Sequence, residues 1–186
     1  NAHNGKEIIN IAIIGKYFET GNFILSDSYL SVIEAIKYSS YKENKKPIIS
    51  WLSAEDFSQI NNNKKLKELK KYDGIIVPGG FGSRGVEGKL NAVSFARKNK
   101  IPYFGLCYGM QMLVIEYARN VLNLKDANTK EIDPKTNYPV IDIMENQKEN
   151  IKNHRYGGNM RLGDYKAILK KGSITRDAYN KNEIIE

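Results

Sequence analysis

Cys107 is the only cysteine among 186 residues, and it stands in the string Gly105-Leu106-Cys107-Tyr108-Gly109. Ile101 to Leu106 reads as a short buried strand and Tyr108 to Arg119 as a helix, so the thiol falls where one breaks into the other. That position suits a nucleophile. The unpaired amides of a helix's first turn and the positive end of its dipole both favour thiolate over thiol. Glycines two residues to either side relieve the crowding of a tight elbow, much as in the Gly-x-Ser-x-Gly hydrolases. A buried structural cysteine is the plainer alternative, but it has no need of flanking glycines.

A second chemistry-bearing string is Pro78-Gly79-Gly80-Phe81-Gly82-Ser83-Arg84-Gly85, which follows the apolar run Ile75-Ile76-Val77. Gly80 to Gly85 is a literal Gly-x-Gly-x-x-Gly, so dinucleotide binding is one reading. The acidic residue expected about 20 positions further on is absent, since Phe104-Gly105-Leu106 stands there. The other reading takes Gly79 and Gly80 as backbone donors. If this strand neighbours the cysteine strand, the amides of Gly80 and Tyr108 converge on one oxygen and form an oxyanion hole for acyl transfer. Two glycine-flanked strand ends side by side favour that second reading.

Alternating strands and helices must carry these turns. Ile9 to Gly15 reads as a strand, followed by a loop over Lys16 to Ser26. Asp27 is a plausible N-cap for a helix from Ser28 to about Tyr41, with Leu30, Ile33, Ala35 and Ile36 as its apolar stripe. Pro47 opens a strand over Ile48 to Leu52; a lysine-rich helix follows from Asn63 to Tyr72, and another runs from about Glu87 to Asn99. Beyond the polar stretch Asn123 to Asn137, Tyr138 to Met144 reads as a strand and Glu145 to Tyr156 as a mobile charged segment. Gly157 to Gly163 reads as a glycine-bounded loop, Tyr165 to Leu169 as a strand and Asp177 to Tyr179 as the start of a short helix. The pattern implies right-handed crossovers and a mostly parallel sheet covered on both faces, a three-layer α/β sandwich of flavodoxin-like type. In such sheets function collects at the carboxyl ends of the strands, where both glycine strings fall.

Composition narrows the partners. The length suits one domain over 1–186, with no internal repeat and no linker. A net charge of +8 invites a nucleic-acid reading. The densest lysine cluster, however, surrounds Leu66 and Leu69 at the spacing of a solvated helix face, without interleaved aromatics. No nucleic acid, metal site or membrane span is expected. A lone cysteine fits a reducing, cytoplasmic setting.

The extended strings Pro78 to Gly88, Gly105-x-Cys107-x-Gly109-Met110-Gln111 and Gly157-Gly158-x-Met160-Arg161-Leu162-Gly163 resemble the class I glutamine amidotransferase domain of the CTP synthase family, over about Ile9 to the C-terminus. The resemblance implies that Cys107 attacks the side-chain amide of L-glutamine, forms a thioester and releases ammonia for amination of UTP to CTP. By the same likeness, Gly80 and Tyr108 hold the oxyanion. Gly80, Tyr108, Gly109, Met110, Gln111, Glu131 and Arg161 line the glutamine pocket, with Gln111, Glu131 and Arg161 on its ammonium and carboxylate. An anion and an arginine fork are what a zwitterion requires. No cofactor belongs to the domain itself. The resemblance further implies that ATP, UTP and Mg belong to an N-terminal synthetase domain not included in this chain, that GTP, the family's activator, could act on the whole enzyme, and that the full-length protein is a homo-oligomer, a tetramer in the family. Two departures stand out. Residue 108 is Tyr where the family usually has Leu, and the family's catalytic His-x-Glu pair has no counterpart, since the two histidines are His3 and His154. The natural protein is therefore expected to continue past Glu186, and a chain ending there to bind glutamine but turn it over poorly. Three other functions remain open: a stand-alone cysteine amidase or peptidase, a non-catalytic regulatory domain, and nucleotide binding through Gly80 to Gly85.

Overall fold

A computed structural model describes residues 7–15, 19–20, 23–24, 29–58, 63–153 and 164–185. The chain divides into two compact units, Asn1–Asp142 and Ile143–Glu186. The first is built on four parallel strands: β1 (Glu7–Gly15), β4 (Lys45–Ser53), β5 (Gly74–Val77) and β6 (Tyr103–Gly105), ordered β4-β1-β5-β6. A two-residue pair, β2 (Glu19–Thr20) and β3 (Phe23–Ile24), follows β1. The sheet begins at β1, steps to β4 on one side and returns to β5 and β6 on the other. This is the doubly wound order with its switch point between β1 and β5.

Alternation along β1 sets the layers. Ile13 faces helix α1 (Leu30–Lys42) and joins Tyr29 and Ile36 in one apolar cluster. Ala12 and Ile14 face the other way, into a larger core with Ala92 and Ala96 of helix α3 (Val86–Asn99). Helix α4 (Tyr108–Asn120) completes that second layer through Met112 and Ile115, which pack with Leu90 and Val93 of α3. A sheet buried on both faces needs continuous apolar strands; Ile75 and Val77 of central β5 are buried, with Ile76 partly so. Pro47 sits in β4, opposite Ile9, where a missing N–H is tolerated because β4 is an edge strand among the described residues.

Several expectations are corrected. α1 begins at Leu30 with no side-chain cap, and Asp27 lies outside the described residues. Of the expected stripe Ile36 is buried and Ile33 half-buried, while Leu30 and Ala35 are exposed; Tyr29, Ser40 and, in part, Val32 cover the rest of the sheet-facing side. The lysine-rich segment is α2 (Asn63–Glu68) finished by a 3-10 turn that buries Leu69. β6 is not fully buried: it is an edge strand among the described residues, and Phe104 is 62% exposed. Tyr138 to Met144 supplies only the three residues of β8 (Pro139–Ile141), paired in parallel with β7 (Asn128–Thr129).

The second unit carries α5 (Glu145–Lys152), β9 (Lys166–Ile168), α6 (Ile174–Tyr179) and β10 (Glu183–Ile185), with β9 and β10 antiparallel. The charged segment expected to be mobile is helical over α5. A Glu145–Lys148 ion pair spans its first turn and Lys152 closes its last, both favourable to the dipole. Ser173 caps α6 by accepting from the Arg176 N–H, so that helix starts three residues before Asp177. The loop from Gly157 to Gly163 lies outside the described residues. Among the described residues no helix is long and apolar enough to cross a membrane.

Candidate active site

The turns after β5 and β6 lie side by side at Cys107, and the turn after β7 reaches the first of them. At the elbow, Cys107 holds φ 51° and ψ −106° and is exposed. A side chain in that backbone region costs about 1–3 kcal/mol. The surroundings enforce it. Leu106 N–H donates to Val77 O (2.9 Å), Gly109 N–H to Leu106 O (2.9 Å) and Gln111 N–H to Cys107 O (3.1 Å), which closes the first turn of α4 directly on the strand ends.

The flanking glycines are required by contact. A methyl group on Gly109 would lie 1.9 Å from Val77 O, and one on Gly105 would lie 2.5 Å from the backbone of Gly109 and Met110. α4 therefore presses its N-terminus against β5 and β6 more closely than any side chain permits. Tyr103 adds a tie from β6, its hydroxyl donating to Gly109 O at 2.8 Å. Burial pushes the Tyr103 phenol well above its ordinary range, so it stays a donor.

The glycine turn after β5 lies against this elbow. A methyl on Gly79 would make ordinary contact, 3.6 Å, with Cys107 Cβ, which puts the Gly79–Gly80 backbone beside the thiol-bearing residue. The far end of the loop is anchored: Arg84 pairs with Glu55, and Gly88 packs so closely on Ala54 that a methyl would fall 1.8 Å from its carbonyl oxygen. Gly82 and Gly85 both take positive φ, 71° and 72°. The Gly-x-Gly-x-x-Gly spacing thus serves a tight turn facing the cysteine.

Each expected pocket residue can now be placed. Gly80 is half-buried in the turn; Tyr108 and Gly109 are buried at the start of α4, and Met110 is 49% exposed beside them. Gln111, half-buried one turn after Cys107, has a side-chain Oε1 that is buried without a hydrogen-bond partner among the described residues. An orphaned acceptor of this kind costs about 1–3 kcal/mol, and a ligand N–H would satisfy it. Glu131 is exposed yet engaged: its Oε1 accepts from Gly82 N–H at 2.9 Å, which brings the turn after β7 to the glycine loop. Arg161, His3 and His154 lie outside the described residues. Unforeseen from sequence are the hydrogen bond that the Tyr108 hydroxyl donates to Gly82 O, and Lys89, whose Nζ lies 4.9 Å from the Tyr108 ring centroid. Burial, then the charge of Glu131, push the Tyr108 phenol up to about 12. Among the described residues no three His, Cys, Asp or Glu side chains gather as metal ligands.

Residues 24–186 match the family model of class-I glutamine amidotransferases. The chain belongs to that family. It is 45% identical over 186 residues to the CTP synthase of Sulfolobus acidocaldarius, covering all of this chain and 33% of that protein. It is 50% identical over 182 residues to the CTP synthase of Clostridium beijerinckii, covering 98% of this chain and 32% of that one. The amidotransferase chain thus spans about a third of the length of these relatives. Among solved structures it is similar to the glutaminase domain of Trypanosoma brucei CTPS with bound acivicin, with a TM-score of 0.83 and 36% identity, covering 96% of this chain and 65% of that one.

Proposed function

We propose that this amidotransferase domain hydrolyses L-glutamine through Cys107 and passes the ammonia to a synthetase domain that uses ATP to aminate UTP to CTP. The observation that carries the chemistry is the exposed Cys107, held at φ 51° on a helix start and beside the Gly79 turn. Sγ attacks the γ-carbonyl carbon of glutamine, and a C–S bond forms as the carbonyl oxygen takes the negative charge. The amides of Gly80 and Tyr108 receive that charge. The C–N bond then breaks, ammonia leaves with the proton of the thiol, and a γ-glutamyl thioester remains for water to cleave to glutamate.

Recognition of the zwitterion falls to Gln111 and Glu131 on the ammonium side and to Arg161 on the carboxylate. The unpaired Gln111 Oε1 supports this, as does Glu131's place beside the glycine turn. Met110 and Gly109 complete the wall as part of the same turn of α4. ATP, UTP and Mg belong to the synthetase part. Likeness to the CTP synthases supports the link to that part; a tetrameric whole enzyme is what the sequence resemblance implies, and a cytoplasmic setting is what a lone cysteine suggests.

The test is covalent trapping. Acid-quenched samples incubated with glutamine should show a γ-glutamyl adduct on Cys107 by mass spectrometry, and Cys107→Ser should show none. An unmodified Cys107 that also resists electrophilic glutamine analogues would overturn the proposal.

A further inference from the structure

Gly82 is gripped from both sides. Its N–H donates to Glu131 Oε1, and its carbonyl oxygen accepts from the Tyr108 hydroxyl. The two grips come from different places in the chain, the turn after β7 and the residue immediately after Cys107. A loop holding Gly79, Gly80, Gly82 and Gly85 has much backbone freedom to lose and little side-chain packing to fix it. The grips supply what packing does not. Tyr108 itself is rigidly seated: it is 1% exposed, and Lys89, equally buried on α3, lies against its ring. Because its pKa stands at about 12, the phenol remains a hydrogen-bond donor throughout the neutral range.

We infer that Tyr108 is a positioning residue: through its hydroxyl on the Gly82 carbonyl it fixes the glycine turn against Cys107 and so sets the spacing between the two oxyanion donors. The inference rests on the glutamine-hydrolysis reading and extends it. One residue then does two tasks, its main-chain N–H serving as one donor and its side chain aligning the turn that bears the other. A leucine, the usual residue here by the family resemblance, has no group that could make the bond.

Two reagents separate positioning from general damage. A chloromethyl ketone analogue of glutamine places its carbonyl oxygen where the oxyanion forms, and Sγ displaces chloride. Iodoacetamide also alkylates Sγ, with loss of iodide, but by direct displacement that needs no oxyanion donors. Complete loss of one such donor costs ~10²–10³ in rate. Misplacement of one in Tyr108→Phe is expected to lower the chloroketone inactivation rate constant about tenfold. The half-saturating chloroketone concentration and the iodoacetamide rate should each stay within about twofold. Hydrogen exchange should show a protected Gly82 amide in the wild-type chain and loss of that protection in Tyr108→Phe.

An unchanged chloroketone rate constant in Tyr108→Phe overturns the inference, as does equal slowing with both reagents. An unprotected Gly82 amide in the wild type overturns it too, whatever the variant does. Should wild-type Cys107 react with iodoacetamide but not with the chloroketone, the glutamine reading itself fails and takes this inference with it. Normal chloroketone labelling of the wild type combined with an indifferent Tyr108→Phe sinks the positioning role alone.

Discussion

At Cys107 the backbone is held in a conformation that only glycine adopts without strain, with φ 51° and ψ −106°. The strain persists because Gly105 and Gly109 lock the turn by contacts that no larger residue permits. Replacing Cys107 by Gly should therefore stabilise the fold by about 1 kcal/mol, the strain relieved less the added freedom of the unfolded chain. It should also abolish thioester formation. Urea denaturation of wild type and Cys107→Gly measures the first effect, and a stability loss would show that the elbow is unstrained. Gly109→Ala should act in the opposite sense, costing about 3 kcal/mol or more, because its methyl would meet a backbone oxygen at 1.9 Å. The elbow was legible in the sequence because glycines at fixed offsets from a cysteine are a local signature of steric demand. The Tyr108–Gly82 bond was not, since its partners are 26 residues apart and a tyrosine carries no mark of where its hydroxyl will go. Lys89 was equally hidden, because a lysine on a helix reads as solvated while here it is buried against an aromatic ring.

Helices α3 and α4 position the two glycine turns relative to one another, and a partly buried ion pair joins them. Glu116 of α4 is fully buried and accepts two hydrogen bonds from Arg97 Nε, at 2.9 and 3.3 Å, and one from Arg97 Nη2, at 2.7 Å. Asn120 donates to the same carboxylate. Burial pushes the Glu116 carboxyl up, but the hydrogen bonds from Arg97, Asn120 and Ser94 outweigh it and hold it below the ordinary 4.5. A carboxyl depressed in the folded state contributes stability that is present above its unfolded pKa and is lost as pH falls through the folded one. The contribution of Glu116 should thus be complete at neutral pH and fade below about 4.5. Arg97→Ala removes the carboxylate's charged partner, leaving Asn120 as a neutral donor, and should cost about 1.5–3 kcal/mol at pH 7. Unfolding free energies of wild type and variant should converge in acid, and a gap independent of pH would contradict the assignment. Elements of this layer could be read from sequence where apolar period and length agreed, as in α3, α4 and β5. The stripe on α1 could not, because Val32 and Ser40 are half-hidden or buried by the sheet's position rather than by their own hydrophobicity. The exposure of β6 likewise follows from its place at the sheet edge among the described residues, a property of strand order rather than of Tyr103-Phe104-Gly105.

For the molecule as a whole, the decisive question is how a free amino acid is told apart from a peptide amide. Around Cys107 the described residues offer a carboxylate, Glu131, and an unpaired amide oxygen, Gln111 Oε1, both suited to an ammonium group. The complementary cation is harder to single out in a chain whose excess of positive charge, +8, is spread over many lysines. Only the resemblance singles out Arg161; its charge alone does not distinguish it from a surface residue, which is why composition could not find it. A charge-assisted pair of this kind contributes about 1.5–3 kcal/mol. Arg161→Ala should accordingly raise the half-saturating concentration of a glutamine chloroketone about 10–100-fold. The limiting rate of alkylation at Cys107 should change little, because the resemblance assigns the arginine to the carboxylate end rather than to the reacting carbonyl. An analogue lacking the α-carboxylate should bind wild type and variant equally. If instead Arg161→Ala leaves saturation by the full analogue unchanged, the pocket does not read a zwitterion, and a stand-alone amidase built on the same elbow becomes the better account.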